Sequence, residues 1–449
     1  MTVRILLSLL AVLLALPMTV FGFTPPTQTP NALIEAKMLK EWIDNGLVNK
    51  ASGKDKVVIL SIGPGDGKAA DGKVVAPGFE SGHIPGAIHI TPPELTRNRL
   101  EGVATASTMI LDGAGMDALI KKAGIDKDTT VVFTTSVGVP PWFPVRGYMT
   151  FRYWGFPSKQ LKVLNGYDLG WQKSYPLVSG PSAQVPASSF SVRDAGRFNP
   201  QLRLSLGEMI AKVGKPGNVI IDTRGNDQSP FYTASAPATL GVFPPAVVAT
   251  GLVKEPLIDN TPDYTVFEGH IKGAKAVSYQ DLFVNPQAKD FSFKPTADLK
   301  KMFAKAGAGP KKNSIVYCRT GYIAAIAFVL LDGVYNWPVQ VYDGSWSQWG
   351  QMSGNAAMGG KLPADSPWRT DTKKLTAPYP IQYNLERNVK VRTKANATAP
   401  EVVTDIDFKL DKAHIEELGI DAAALKGLKP SDPAANQILV EDAAYMSKK

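Results

Sequence analysis

One stretch of this chain occurs twice. Phe79-Glu80-Ser81-Gly82-His83-Ile84-Pro85-Gly86-Ala87 returns as Phe267-Glu268-Gly269-His270-Ile271-Lys272-Gly273-Ala274. Around each copy the same elements follow in the same order. The first has an apolar strand Val57-Val58-Ile59-Leu60, a helix ending Lys122-Ala123-Gly124, a strand Val131-Val132-Phe133 and a helical stretch around Val145 to Trp154. The second has Val219-Ile220-Ile221-Asp222, a helix ending Lys305-Ala306-Gly307 and a strand Ile315 to Tyr317. Each closes on a glycine and a tryptophan at one spacing: Gly166 to Trp171 is 5 positions, and so is Gly344 to Trp349. Strand alternating with helix predicts an open, mostly parallel sheet with helices on both faces. The duplication therefore predicts an α/β protein of two three-layer domains in tandem, followed by a C-terminal extension.

The boundaries follow from composition. Residues 28–175 form the first unit, 176–200 a Pro/Ser/Gly-rich exposed linker, 201–358 the second unit and 359–449 the extension. Asn31 is the expected cap of a helix from Ala32 to Asp44, ended by Gly46, and Ser205-Leu206-Gly207-Glu208 reads as a capping box. In the extension one helix is expected near Lys412 to Lys426. The segment from Thr223 to Phe267 is long for a connection inside a compact domain, and reads either as a cover over the site described next or as a surface embellishment remote from it.

The two copies differ where the strand Ile315 to Tyr317 ends. There the second carries Cys318, the chain's only cysteine, followed by Arg319-Thr320-Gly321-Tyr322-Ile323 and a long apolar helical run. The matching position in the first copy falls at Thr134 or Thr135, followed by Ser136-Val137-Gly138-Val139-Pro140-Pro141, whose prolines have no N–H to donate. A free cysteine is ordinarily core filling. A thiol at a strand–turn–helix junction instead faces backbone N–H groups, which predicts a depressed pKa and a thiolate at neutral pH.

The N-terminus carries Arg4, an apolar run from Ile5 to about Val20, and small residues before a Pro/Thr-rich stretch. This is the pattern of a secretory signal peptide, residues 1–22, cleaved after Gly22. It predicts a periplasmic, exported protein, with a membrane association only if the segment is left uncleaved. With one cysteine no internal disulfide can form, so the exported thiol is either protected or used. The charge of +9 rests on scattered lysines, which suits small anionic substrates or an acidic partner and not nucleic acid. Four histidines without clustered spacing point to no metal and no cofactor.

Together, Glu268-Gly269-His270-Ile271, Gly273-Ala274, the loop at Cys318, and Tyr342-Asp343-Gly344-Ser345-Trp346-Ser347-Gln348-Trp349 resemble the tandem-domain rhodanese family of thiosulfate and mercaptopyruvate sulfurtransferases. The resemblance covers most of residues 30 to 355. It implies an inactive first domain and a catalytic second one. In the latter, Cys318 would take sulfane sulfur from a small anionic donor as a persulfide and pass it to a thiol or cyanide-like acceptor. The loop amides from Arg319, Thr320, Gly321, Tyr322 and Ile323 would hold the outer sulfur, and Arg319 the anionic donor. Asp222 and Arg224 are expected to pair and brace the sheet end, His270 to order its loop, and Asp343 to receive loop amides.

Thr320 and Ile323 stand where the family often has cationic or polar groups, which weakens the expected attraction for thiosulfate and favours polysulfide or a protein persulfide. The alternative is a rhodanese-fold binding or sulfur-relay module docking on a periplasmic redox complex. A cysteine phosphatase shares the loop geometry but needs an arginine six positions after the cysteine, where Ala324 stands.

Overall fold

The computed structural model describes residues 24–349 apart from 30, 54, 102, 103, 196, 225–238, 241–270 and 272. In the tail it describes 374–377, 381–384, 388–391, 401–403 and 431–448. The signal segment, His270, nearly all of the Thr223–Phe267 insertion and the helix expected near Lys412 lie outside these residues.

The first unit runs β1 (Leu33–Ile34), α1 (Ala36–Asp44), β2 (Val57–Ile62), β3 (Ile88–Ile90), β4 (Thr96–Glu101), β5 (Ala104–Ile110), α2 (Gly113–Lys122), β6 (Thr130–Thr134), α3 (Trp142–Tyr153), β7 (Leu161–Leu164) and α4 (Tyr167–Gln172). Its sheet is parallel throughout, in the order β1-β7-β6-β2-β3. Strand β2 is buried at every position, as a strand covered on both faces must be. Strands β4 and β5 form an antiparallel hairpin apart from that sheet.

The second unit runs β8 (Arg203–Leu204), α5 (Leu206–Lys212), β9 (Asn218–Asp222), β10 (Lys275–Ala276), α6 (Thr296–Lys305), β11 (Asn313–Tyr317), α7 (Ala324–Phe328) and β12 (Val339–Tyr342). Its parallel order, β8-β12-β11-β9-β10, repeats that of the first unit strand for strand. The expected duplicated α/β architecture is therefore present.

Local chemistry modified several expectations. The first helix begins at Ala36, not Ala32: Ala32 and Leu33 are drawn into the sheet, and Asn31 Oδ1 accepts from the Leu33 amide instead of capping a helix. Gly46, at φ +67°, follows the helix end as expected. Ser205 and Glu208 form the capping box. The apolar run after Cys318 is α-helical only through Phe328 and continues as a π-helical turn, Val329–Val334.

The stretch 176–200 is bound along the first unit: Val178 bridges His83, the Ser188 amide donates to Lys121 O, and Val192 is buried. In the tail, α8 (Gln437–Ser447) packs back on the first unit. There Asp442 meets Arg99 at 2.7 Å and the Tyr153 hydroxyl at 2.8 Å.

The apolar core is continuous across both units. Helix α3 lies against α7, with Tyr148 edge-on to Phe328 at 6.2 Å. Each fully buried side chain of this kind stabilises by about 1.5–3 kcal/mol. Polar bonds fix the register: the Ala32 amide donates to Gly333 O at 2.9 Å, and Asp332 takes Tyr148 Oη at 2.8 Å and Arg152 Nε at 2.7 Å.

Candidate active site

Cys318 is the first residue past β11, and its loop is pinned by the segment after β12. The Trp346 amide donates to Cys318 O at 3.0 Å, the Ser347 amide to Arg319 O at 2.9 Å, and the Cys318 amide to Ser345 Oγ at 3.3 Å. The chain then turns at Gly321, φ +83°. A Cβ there would stand 2.8 Å from Asp343 O, so only glycine fits. The turn brings the amides of Thr320, Gly321, Ile323 and Ala324 to face the sulfur, with Gly321 N at 3.1 Å from Sγ. Ala324 was not among the amides expected to do so; it joins because the helix starts there.

Cys318 is only 1% exposed, yet it lies against a cleft of about 670 Å³. Burial lifts the thiol pKa above its ordinary value, and the amides oppose that shift without overcoming it. The expected depressed pKa is therefore not what the unliganded cup produces. Four oriented donors still favour any negative charge placed on this sulfur, or on an atom bonded to it, over the same charge elsewhere in the core.

Arg319, Thr320, Tyr322 and Ile323 line the cleft beside Cys318. The opposite wall comes from the first unit: Pro92, Pro93, Thr96, Arg97 and Asn98 before and along β4, Thr108 on β5, and Trp142 and Phe143 opening α3. Thr96 Oγ1 lies 3.2 Å from the Tyr322 hydroxyl, and Phe143 meets the Tyr322 ring edge-on at 5.4 Å. Among the described residues this wall covers the cysteine; the insertion expected to do so lies almost wholly outside them.

Asp222 and Arg224 form a fully buried ion pair at 2.6 Å, and Tyr317 Oη donates to Asp222 Oδ2 at 2.9 Å. The arginine, stacked over Trp346 at 5.4 Å, is close enough to Cys318 to feel its charge. His83, the counterpart of His270, bonds Phe79 O through Nδ1 at 2.9 Å and stacks on the Phe79 ring.

Asp343 departs from expectation. It takes an amide from the first unit, Ile110 N at 2.8 Å, where amides of the cysteine loop were expected. It also pairs with two buried arginines, Arg146 Nη2 at 2.6 Å and Arg203 Nε at 2.9 Å, which hold its carboxyl below the usual range. Arg203 in turn takes Glu101 at 3.0 Å, and Arg146 reaches Gly321 O at 3.4 Å.

The sequence reading did not single out Arg146, Thr108, Arg97, Trp142 or Phe143. Arg146 alone left a visible trace, a cation inside the mostly apolar run Trp142–Tyr153.

The first unit repeats the loop without its chemistry. Register aligns Thr134 with Tyr317, since Ser61 pairs Thr134 as Asp222 pairs Tyr317. Thr135 therefore occupies the place of Cys318, and the Asp168 amide bonds Thr135 O as the Trp346 amide bonds Cys318 O. Gly138 turns at φ +82° where Gly321 turns at +83°. Pro140 and Pro141 then stand where Ile323 and Ala324 supply N–H groups, so two of the four donors are gone.

The family model for the rhodanese-like domain matches residues 205–352. The sulfur carrier protein TtuD of Thermus thermophilus is 24% identical over 62% of this chain and 85% of its own length. A thiosulfate sulfurtransferase of Corynebacterium glutamicum is 25% identical over 61% and 79%. Among solved structures, YnjE superposes with TM-score 0.50 at 20% identity, covering 71% of this chain and 66% of that one. EanB in complex with hercynine gives TM-score 0.50 at 17% identity, covering 71% and 67%. These structures share the fold. With a rhodanese-like domain matched in the second unit, a first unit of the same strand order and relatives that span both, the chain is similar to the sulfurtransferases of the rhodanese family in their tandem-domain form.

Proposed function

We propose that the protein is an exported, periplasmic sulfurtransferase that carries sulfane sulfur on Cys318. The Cys318 thiolate attacks the outer sulfur of an anionic donor such as thiosulfate or a polysulfide. One S–S bond forms, the donor's S–S bond breaks, and the bonding pair leaves with the donor fragment, sulfite or a shortened polysulfide. The persulfide's outer sulfur takes the negative charge. An acceptor thiolate or cyanide then attacks that sulfur and returns Cys318 as thiolate. One neutral sulfur atom moves in each half, so no external oxidant or reductant is needed. Asp222–Arg224 braces the end of β9, and Arg319, which lines the cleft as Arg97 does, receives the donor.

The observation that carries this reading is the Gly321 amide at 3.1 Å from a sulfur ringed by three further N–H groups. Because the thiol resists ionisation when alone, the cup favours the state in which charge sits on the more acidic persulfide. The docked tail helix and the neutral Thr320 and Ile323 favour a second reading, a relay module whose acceptor is a periplasmic redox protein.

Intact mass spectrometry after incubation with thiosulfate or polysulfide tests both. The expected result is a cyanide-sensitive gain of about 32 mass units, one sulfur, absent from Cys318→Ser. A loaded protein that gives sulfur to no small acceptor would favour the relay. An unchanged mass with every donor would end the sulfur-transfer reading.

A further inference from the structure

Thr108 sits in the left-handed region at φ +52°, where a β-branched side chain is a genuine outlier. Such strain persists only where the surroundings over-determine it, and it gathers at functional sites. Here the determinants are visible. Thr108 O accepts from the buried Arg146 Nη2 at 2.8 Å, and Arg146 is itself held by Asp343 at 2.6 Å. With the backbone fixed in this way, Thr108 Oγ1 donates to Thr320 O at 3.1 Å.

That carbonyl belongs to the same peptide group whose N–H, on Gly321, points at Cys318 Sγ from 3.1 Å. A donor on the oxygen of an amide makes its N–H a better donor in turn, and it also fixes the plane of the peptide. The relay therefore runs from Thr108 through one peptide to the sulfur, and it begins in the unit that has no cysteine.

We propose that Thr108 is a positioning residue of the sulfur site, supplied by the first unit, that orients and polarises the Thr320–Gly321 peptide toward negative charge on Cys318. The inference deepens the sulfur-transfer reading by assigning the first unit a part in it, yet its test needs no sulfur donor. The charged groups around the loop are Arg97 and Arg146 from the first unit and Asp222, Arg224, Arg319 and Asp343 of its own unit. Substitution at Thr108 leaves all of them in place.

The test is the pH profile of Cys318 alkylation by iodoacetamide in the full chain. Thr108→Val removes the hydroxyl at nearly constant shape and should slow alkylation at neutral pH about three- to tenfold, the size of one lost neutral hydrogen bond. Its profile should move to higher pH. Thr108→Ser keeps the donor and should stay near the parent. Thr108→Gly relaxes the backbone while removing the hydroxyl. It should be slowed like Val even if it is as stable as the parent, and it carries the test if Val does not fold.

Parental profiles for Val or Gly would overturn the proposal, as would a serine variant slowed as much as valine. A chain that no donor can load, but whose alkylation still responds to Thr108, would refute sulfur transfer and leave this proposal standing.

Discussion

Arg146 carries a full positive charge with no exposed surface, and so does its partner Asp343 with a negative one. Such a pair contributes little over an apolar replacement of the same shape, but half of it alone is costly. Arg146→Met leaves Asp343 with Arg203 only and removes the support under Thr108 and Gly321. The expected loss is about 3–5 kcal/mol in denaturant titration, with Cys318 alkylation slowed as well.

Asp168 is a buried carboxyl of a different kind. Thr134 Oγ1 donates to Oδ1 at 2.6 Å, and Oδ2 has no hydrogen-bond partner among the described residues. Desolvation raises its pKa from 3.8 to about 8. The folded state therefore keeps a proton that the unfolded chain has released. This contribution to stability is full below the unfolded pKa and is lost as pH rises from about 4 to about 8. Asp168→Asn should remove that slope: unfolding midpoints measured at about pH 5 and about pH 8 should fall less for the variant than for the parent. An unchanged difference would place the proton elsewhere.

At the scale of elements, the two loops show how little separates a sulfur cup from its silent copy. Thr135→Cys in a Cys318→Ser background restores a thiol at the equivalent position, but Pro140 and Pro141 still withhold two donors. No cyanide-sensitive adduct is expected by intact mass. The prolines were legible from residues alone because a missing N–H is a property of the residue. The wall across the cleft was not. Hairpin β4–β5 reaches Cys318 through bonds such as Thr108 to Thr320, more than 200 positions apart, and no local pattern announces these.

Helix α8 escaped for a related reason. Its anchors, Asp442 and Tyr445, acquire meaning only beside Arg99 and Asp117. Asp442→Ala leaves Arg99 with the half-exposed Glu441 as its one carboxylate among the described residues and strands the Tyr153 hydroxyl; it should cost about 1–3 kcal/mol, read as a fall in thermal midpoint. A Cβ on Gly113 would run into the Tyr445 ring, so Gly113→Ala should release the helix to proteolysis.

For the whole molecule, duplication and alternation were enough to foresee the sheets, since strand and helix periodicity are local. How the units face each other was not foreseeable, because beside the shared apolar core their contact is fixed by charges that a sequence reader assigns to the surface. Glu101, Arg203, Asp343 and Arg146 form one chain of ion pairs at the seam, with no exposure to water beyond a trace on Arg203 and Glu101. Separating the units would leave Glu101 and Arg146 unpaired in the first, strip Asp332 of Arg152 and Tyr148 in the second, and open the shared apolar core of both. Residues 201–358 alone should therefore be insoluble or unfolded, as circular dichroism would show.

The same seam bears on how the protein melts. Two domains joined by a loose tether unfold one after the other, at temperatures of their own. Here neither half can come apart while the other keeps its shape. Calorimetry should record a single peak whose van't Hoff and calorimetric enthalpies agree, despite a size at which separate transitions are the rule.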